Sequence, residues 1–319
     1  MSTVFITGAH GFIGQHLARA LAATGARVGG LGHGAWPPAE AAASGVAHWI
    51  NGDITATNLR LLTASLGTPD TVFHLAGGSS VGAAIANPRE DFARTVSTTV
   101  ELLEWMRLDA PQARLVAVSS AAVYGAGHEG PIREDARLEP FSPYGHHKLM
   151  MEQLCRSYGA SFGLQSVVAR LFSVFGPGLR KQLLWDTCTR LEAGESPLVL
   201  GGTGDELRDW TDVRDVVRAL VRLPTQASPR AEPINVGSGR GLPVSAVVAA
   251  LVQSFRGTPD AAVPVRFSGQ SRPGDPFSLV ASDAKLGSMG FTWEKPVPEA
   301  FRDYVQWFRG RGVGVGGSK

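Results

Sequence analysis

The sequence predicts an α/β protein built on a doubly wound parallel sheet, followed by a smaller C-terminal α/β substrate domain. Three observations carry this. A short apolar β-rich run at the N-terminus passes through a glycine-rich turn into a helix. Strand and helix patterns then alternate through residue 170. Beyond that point the elements become shorter and less regular.

Thr3 to Thr7 is apolar and bounded by glycine, as a buried parallel strand requires. Gly8-Ala9-His10-Gly11-Phe12-Ile13-Gly14 follows, and Gln15 to Thr24 carries helical spacing through Leu17, Ala18 and Leu21. Glycines there let the backbone approach a pyrophosphate lying on the helix N-terminus. Gly8, Gly11, Phe12, Ile13 and Gly14 are therefore cofactor-binding candidates.

Ala26 to Leu31 is the second strand. An Asp or Glu at its end would hold an adenosine ribose 2′-hydroxyl, but the chain reads Leu31-Gly32-His33-Gly34 and carries no acid between Gly14 and Glu40. Gly32 with the His33 imidazole leaves room for a 2′-phosphate, so NAD and NADP both stay open. Val46 to Ile50 is a third strand, ending at Gly52-Asp53-Ile54. The Asp53 carboxylate there is placed to reach an adenine amino group or to serve as a turn residue. Thr71 to Leu75 is the fourth strand, and Leu75, Ala76, Gly77 and Ser79 belong to a small-residue loop suited to close passage of a cofactor.

Pro88 to Arg107 reads as one long helix, with Phe92, Val96, Leu102, Leu103 and Met106 spaced for burial. Leu115 to Val118 is the fifth strand, with Ser119-Ser120 at its carboxyl end, where open parallel sheets bind ligands. Ser142-Pro143 then starts a helix, Ser as the cap and Pro at the first helical position. Tyr144 and Lys148 fall one turn apart on one face of it. An ammonium beside a phenol favours the phenolate, and such a pair moves a proton on a sugar hydroxyl while a nicotinamide moves the hydride. Leu164 to Ala169 is the sixth strand.

Composition bounds the partners. Of 319 residues, 44% are apolar and 18% charged, with 30 basic side chains against 28 acidic ones. This describes a globular protein without a nucleic-acid footprint. The two cysteines, Cys155 and Cys188, make no metal-ligand spacing and read as buried thiols of a reducing compartment. No leader pattern or membrane-length apolar run is present, so the cytoplasm is the expected location.

Thr7-Gly8-x-x-Gly11-Phe12-Ile13-Gly14, Gly52-Asp53-Ile54, His74-Leu75-Ala76, Ser119 to Gly125, Ser142-Pro143-Tyr144-x-x-x-Lys148, Arg208-Asp209-Trp210, Asn235 to Gly239 and Arg272-Pro273-Gly274-Asp275 stand in order along the chain. Together they resemble the extended short-chain dehydrogenase/reductases, in particular the NAD-dependent nucleotide-sugar epimerase, dehydratase and reductase group. The resemblance runs from Thr3 to about Phe308 and implies a Rossmann-type fold. It implies Tyr144 as the acid/base, Lys148 lowering its pKa and holding the nicotinamide ribose, and Ser120 on the reacting sugar oxygen. It further implies NAD(P) contacts at Val118 and Thr95, and a nucleotide-diphosphate sugar held by Ser79, Ser173, Arg180, Arg208, Arg272 and Asp275, with no metal. Proteins of this kind pair through two long helices, here Pro88 to Arg107 and Pro143 to Ala160, so a homodimer is expected.

Departures shape the functional reading. Ala121-Ala122 stands where the 4,6-dehydratases carry Asp-Glu, which disfavours dehydration. Ser173 and Thr95 replace residues that are usually Asn. Basic Arg180 and Lys181 lie at the expected mouth of the cleft, placed to meet phosphate or to form a solvated helix start. Ala76-Gly77 with Val81-Gly82 resembles the galactose 4-epimerase branch, whereas Arg208 to Arg218 resembles the branch that reduces a GDP-4-keto-6-deoxy sugar. The expectation is a C4 epimerase working through a 4-keto intermediate, with a 4-keto-sugar reductase as the alternative and a non-catalytic cofactor-binding regulator a third reading. The expected division is a dinucleotide-binding domain over 1–172 with a returning segment around 233–255, a mainly substrate-binding part over 173–309, and a disordered tail over 310–319.

Overall fold

The computed structural model describes residues 2–257, 263–270 and 276–311. Its strands are β1 (Thr3–Thr7), β2 (Arg27–Gly32), β3 (His48–Asn51), β4 (Thr71–His74), β5 (Arg114–Ser120), β6 (Ser166–Leu171), β7 (Ser173–Phe175), β8 (Leu198–Leu200), β9 (Leu207–Asp212), β10 (Pro233–Val236), β11 (Gly241–Pro243), β12 (Val265–Phe267) and β13 (Ser278–Leu279). Seven of them form one sheet in the order β10-β6-β5-β4-β1-β2-β3, every neighbouring pair parallel. The order reverses between β1 and β4, which opens a crevice at their carboxyl ends.

Side-chain alternation along β1 divides the core. Val4 and Ile6 face one layer with Leu17, Val28, Val116, Val167 and Leu220, while Phe5 faces the other with Leu59, Leu62, Leu102, Trp105, Leu115 and Met151. A separate core, around Phe175, Leu184, Trp210, Leu251, Phe301 and Phe308, belongs to the smaller lobe. There β9 pairs with β7, β11 and β13, and β8 pairs with β12.

The segment around 233–255 divides between the lobes. Strand β10 extends the large sheet, whereas the Val244–Arg256 helix buries Val247, Val248 and Leu251 in the smaller core. The Val213–Arg222 helix meanwhile packs Val216 and Leu220 on the large sheet. Of the 310–319 tail, residues 312–319 lie outside the described residues.

Two of the differences from the sequence expectation concern long helical stretches. The stretch 88–107 is not one uniform α-helix: α-turns over Pro88–Phe92 and Thr98–Asp109 are joined by a π-turn at Ala93–Ser97. A π-turn widens the winding and shifts the face by part of a turn. Phe92 consequently stands 41% exposed while Val96, Leu102 and Met106 are buried. The second difference is a helix over Ala56–Leu66, which the apolar pattern alone left unassigned. It is capped by the Thr55 hydroxyl and buries Leu59, Leu62 and Leu66.

Candidate active site

A cleft of about 1470 Å³ runs along the carboxyl edge of the large sheet and is roofed by the smaller lobe. At its floor the first helix starts at Phe12, inside the glycine turn rather than at Gln15. Its free amides therefore open toward the cleft, as an anion site requires. Gly8 adopts a φ of +75° and its amide donates to the Leu31 carbonyl at 2.7 Å. A Cβ at Gly14 would overlap the Gly8 and Ala9 carbonyls, so this crossing accepts no side chain. The cradle fits a dinucleotide pyrophosphate.

Tyr144 reaches the cleft because its helix begins as its sequence dictates. Ser142 Oγ accepts from the Gly145 amide at 3.2 Å, and Pro143 occupies the first turn. A Cβ at Gly145 would stand 2.5 Å from the Ala122 carbonyl oxygen. The Tyr-Gly step thus lets the helix lie directly on the Ala121–Val123 turn that follows Ser120. Burial pushes the Tyr144 phenol above its ordinary value, the Ser120 side chain opposes that shift, and the Asp91 carboxylate adds to it.

Lys148 is buried on the same face, its Nζ 6.0 Å from the centre of the Tyr144 ring and donating to the Val118 carbonyl at 2.9 Å. Burial lowers this ammonium to about 8, against the pull of the Asp91 and Glu152 carboxylates. Desolvation thus dominates at the phenol, and the ammonium is engaged by a carbonyl.

The cleft is lined by Gly8, Gly11, Phe12, Ile13, Gly14, Gly32, His33, Asp53, Ile54, Leu75, Ala76, Gly77, Ser79, Val118, Ser120, Tyr144, Lys148, Ser173 and Arg208, bringing together most of the residues singled out from sequence. Three groups behave differently. Thr95 lies buried behind the wall, where its hydroxyl accepts from the Gly78 amide at 2.8 Å. Arg180 is outside the lining and places its guanidinium 5.8 Å from the centre of the Trp307 ring. Arg272 and Asp275 lie outside the described residues. At the adenosine end His33 Nε2 meets Asp53 Oδ1 at 2.9 Å, so each of these candidates has the other as its partner.

Several supporting groups have roles that the motifs did not assign. His147 Nδ1 and Asp91 Oδ2 are 2.6 Å apart in a buried pair that ties the Tyr144 helix to the Pro88 segment. His74, held neutral by burial with its pKa lowered to about 3, bridges the Thr7 and Thr99 hydroxyls at 2.7 and 3.1 Å. Glu152, two turns after Tyr144, takes two hydrogen bonds from the Arg170 guanidinium at 3.0 and 2.7 Å. It also accepts the Ser119 hydroxyl at 2.7 Å. Arg170 Nη1 donates further to the Tyr124 hydroxyl at 3.0 Å, and that hydroxyl donates to Asn235 Oδ1 at 2.6 Å. The i, i+4, i+8 spacing of Tyr144, Lys148 and Glu152 was the available signal for Glu152. Lys181 lines the cleft and donates to the Ser79 carbonyl at 3.4 Å, bridging the two lobes.

Among the described residues no group of three or more His, Cys, Asp or Glu side chains is disposed to hold a metal ion. No described helix is long and apolar enough to cross a membrane. Both cysteines are buried free thiols that burial pushes up to about 12.

A UDP-glucose 4-epimerase of Azospirillum brasilense is 32% identical over 301 residues, covering 89% of this chain and 84% of its own length. A GDP-6-deoxy-D-mannose reductase of Pseudomonas aeruginosa is 31% identical over 247 residues, covering 74% and 75%. The structure of the Thermus thermophilus UDP-glucose 4-epimerase, solved with NAD, superposes with a TM-score of 0.84 at 29% identity over 97% of this chain and 99% of its own. The model of the NAD dependent epimerase/dehydratase family matches residues 4–237, nearly the whole large lobe with its glycine cradle and the Ser120, Tyr144 and Lys148 wall, and the chain belongs to that family of enzymes.

Proposed function

We propose that this protein inverts C4 of a nucleotide-diphosphate sugar through a 4-keto intermediate, with a dinucleotide held in the large lobe and the sugar nucleotide under the smaller one. The observation that carries the reading is the meeting of Ser120, Tyr144 and Lys148 on one wall of a cleft whose floor is the glycine cradle. A bound nicotinamide supplies the acceptor and donor of hydride. The protein's own part is the proton and the geometry. Tyr144 takes the proton of the C4 hydroxyl as the ketone forms and returns it after the sugar presents its other face. Ser120, next to that phenol, holds the sugar oxygen. Lys148, anchored on the Val118 carbonyl, keeps a cation close to the phenol ring and in reach of a nicotinamide ribose.

Ala121 and Ala122 line the cleft and offer no carboxyl group for elimination, which supports epimerisation over dehydration. The reductase relative supports a second reading, reduction of a ready-made 4-keto sugar, more weakly than the epimerase relatives support the first. Incubation with UDP- and GDP-sugars, followed by NMR at C4, tests the choice. Inverted C4 is expected. Turnover confined to a 4-keto sugar, with stoichiometric consumption of reduced dinucleotide, would replace epimerase by reductase.

The assembly proposed is a homodimer through the Pro88–Asp109 and Pro143–Phe162 segments. Phe92, Leu108, Met150 and Phe162 stand exposed on them, a favourable patch for a second copy. Light scattering at micromolar concentration should give twice the chain mass. The cytoplasm is the compartment proposed, in keeping with two unpaired thiols.

A further inference from the structure

We propose that Asp91, clasped by His147, is a positioning residue that keeps Lys148 an ammonium beside Tyr144, its carboxylate seated against the same glycine loop as that ammonium. The inference rests on the reading of Tyr144 and Lys148 as the proton-handling wall of the cleft. A Cβ on Gly77 would stand 3.2 Å from Lys148 Nζ, and one on Gly78 would stand 1.8 Å from Asp91 Oδ1. Cation and carboxylate therefore lie against successive residues of one cleft-lining loop, and only glycine leaves them room. Thr95, one turn after Asp91, fixes that loop by accepting from the Gly78 amide at 2.8 Å.

The carboxylate is held in place by the helix it serves. His147, next to Lys148 in the chain, donates from Nδ1 to Asp91 Oδ2 at 2.6 Å, and Phe92 closes edge-on over the imidazole with ring centres 5.4 Å apart. Both members of the pair are buried. The other carboxylate that acts on Lys148, Glu152, is occupied by the Arg170 guanidinium, with Arg156 3.5 Å away. Asp91 bonds instead to an imidazole, and Arg94 on the following turn pairs with the exposed Glu90. His74 faces Lys148 from β4 as a neutral ring and adds no charge. Ser120 and the Val118 carbonyl complete the surroundings of the Tyr144–Lys148 pair. A carboxylate in so dry a site favours the protonated forms of both the lysine and the phenol. Burial and charge oppose each other at Lys148, and Asp91 sets the balance.

Denaturant titrations of the full-length, cofactor-free protein across a range of pH read this charge without any turnover. The stability of each protein minus that of its Lys148→Met counterpart rises with pH once the buried ammonium titrates, because the unfolded chain then holds more protons. In the wild type the rise begins at about 8. Asp91→Asn keeps the shape and removes the charge, so the rise should begin about one pH unit lower. Gly78→Ala, whose methyl group displaces the carboxylate from its seat, should move the onset the same way, and it serves if Asp91→Asn does not fold. His147→Asn keeps a donor to the carboxylate and should hold the wild-type onset. In turnover, Asp91→Asn should shift the kcat profile by the same unit to the acid side with KM changed by less than about twofold. An onset unmoved by both Asp91→Asn and Gly78→Ala would overturn the inference, and so would a loss of kcat uniform at every pH, because the pair would then only tie two helices together. A wild type inactive on every nucleotide sugar would sink the epimerase reading, and the denaturant titrations would still decide the role of Asp91.

Discussion

The buried Glu152–Arg170 pair offers the sharpest test of how the site is held. Both side chains are at most 1% exposed, and two hydrogen bonds join them directly behind Ser119 and the Tyr144 helix. Glu152→Leu leaves a guanidinium in the interior with only the Tyr124 hydroxyl and the Glu134 carbonyl as acceptors. Stranding one member of such a pair costs ~3–5 kcal/mol, because the remaining charge has no counter-ion. Arg170→Met leaves the carboxylate with the Ser119 hydroxyl and the Arg156 guanidinium 3.5 Å away, and should cost less than Glu152→Leu. The double variant removes both charges and should cost less than either single change, a coupling of at least ~2 kcal/mol. Urea unfolding of the four proteins, followed by tryptophan fluorescence, measures this. In thermal melts Glu152→Leu should fall by roughly 6–15 °C. Additivity within ~0.5 kcal/mol would refute the argument, since it would mean that the two groups do not depend on each other in the folded chain.

Further predictions concern the cleft itself. Tyr144→Phe should lower kcat by ~100- to 10,000-fold with dinucleotide retention unchanged, read by NMR turnover and by mass spectrometry of bound cofactor. Lys148 has a folded value of about 8 against an ordinary 10.5, so between those pH values the unfolded chain binds more protons and stability rises with pH. Relative to Lys148→Met, cofactor-free wild type should gain roughly 2 kcal/mol between pH 7.5 and 10 in denaturant titrations, and a flat difference would refute the burial argument. Gly14→Ala forces a methyl group into the Gly8 and Ala9 carbonyls. It should cost ~2–3 kcal/mol and abolish dinucleotide retention, seen in thermal melts and in bound-nucleotide analysis.

What could be read from the chain was local. The glycine turn and the Ser-Pro start of the Tyr144 helix are specified by neighbours a few residues away, and the structure has both, with the first helix starting at Phe12 inside the turn. The Asp91–His147 pair joins residues 56 apart, and His33–Asp53 joins residues 20 apart, so neither has a periodic signature. The π-turn at Ala93–Ser97 arises where an otherwise helical sequence passes behind the cleft wall, and no composition marks it. The allotment of 233–236 to one core and 244–256 to another is decided by which sheet edge is free, which only the assembled fold determines.

The route of the chain between its two cores has a mechanical result. After β6 it enters the smaller lobe, returns for the Val213–Arg222 helix and β10, leaves again for the Val244–Arg256 helix, and comes back to bury Leu286 and Phe291 before its last helix. The halves are therefore stitched rather than hinged by a single thread. A polypeptide stopped at residue 172 would expose the flank of β6 that β10 covers and the apolar surface beneath Val216 and Leu220. Excision of either half yields a fragment with a bare seam, so the two should melt as one unit, and sliding of one over the other is confined to small strokes across the mouth that Lys181 spans.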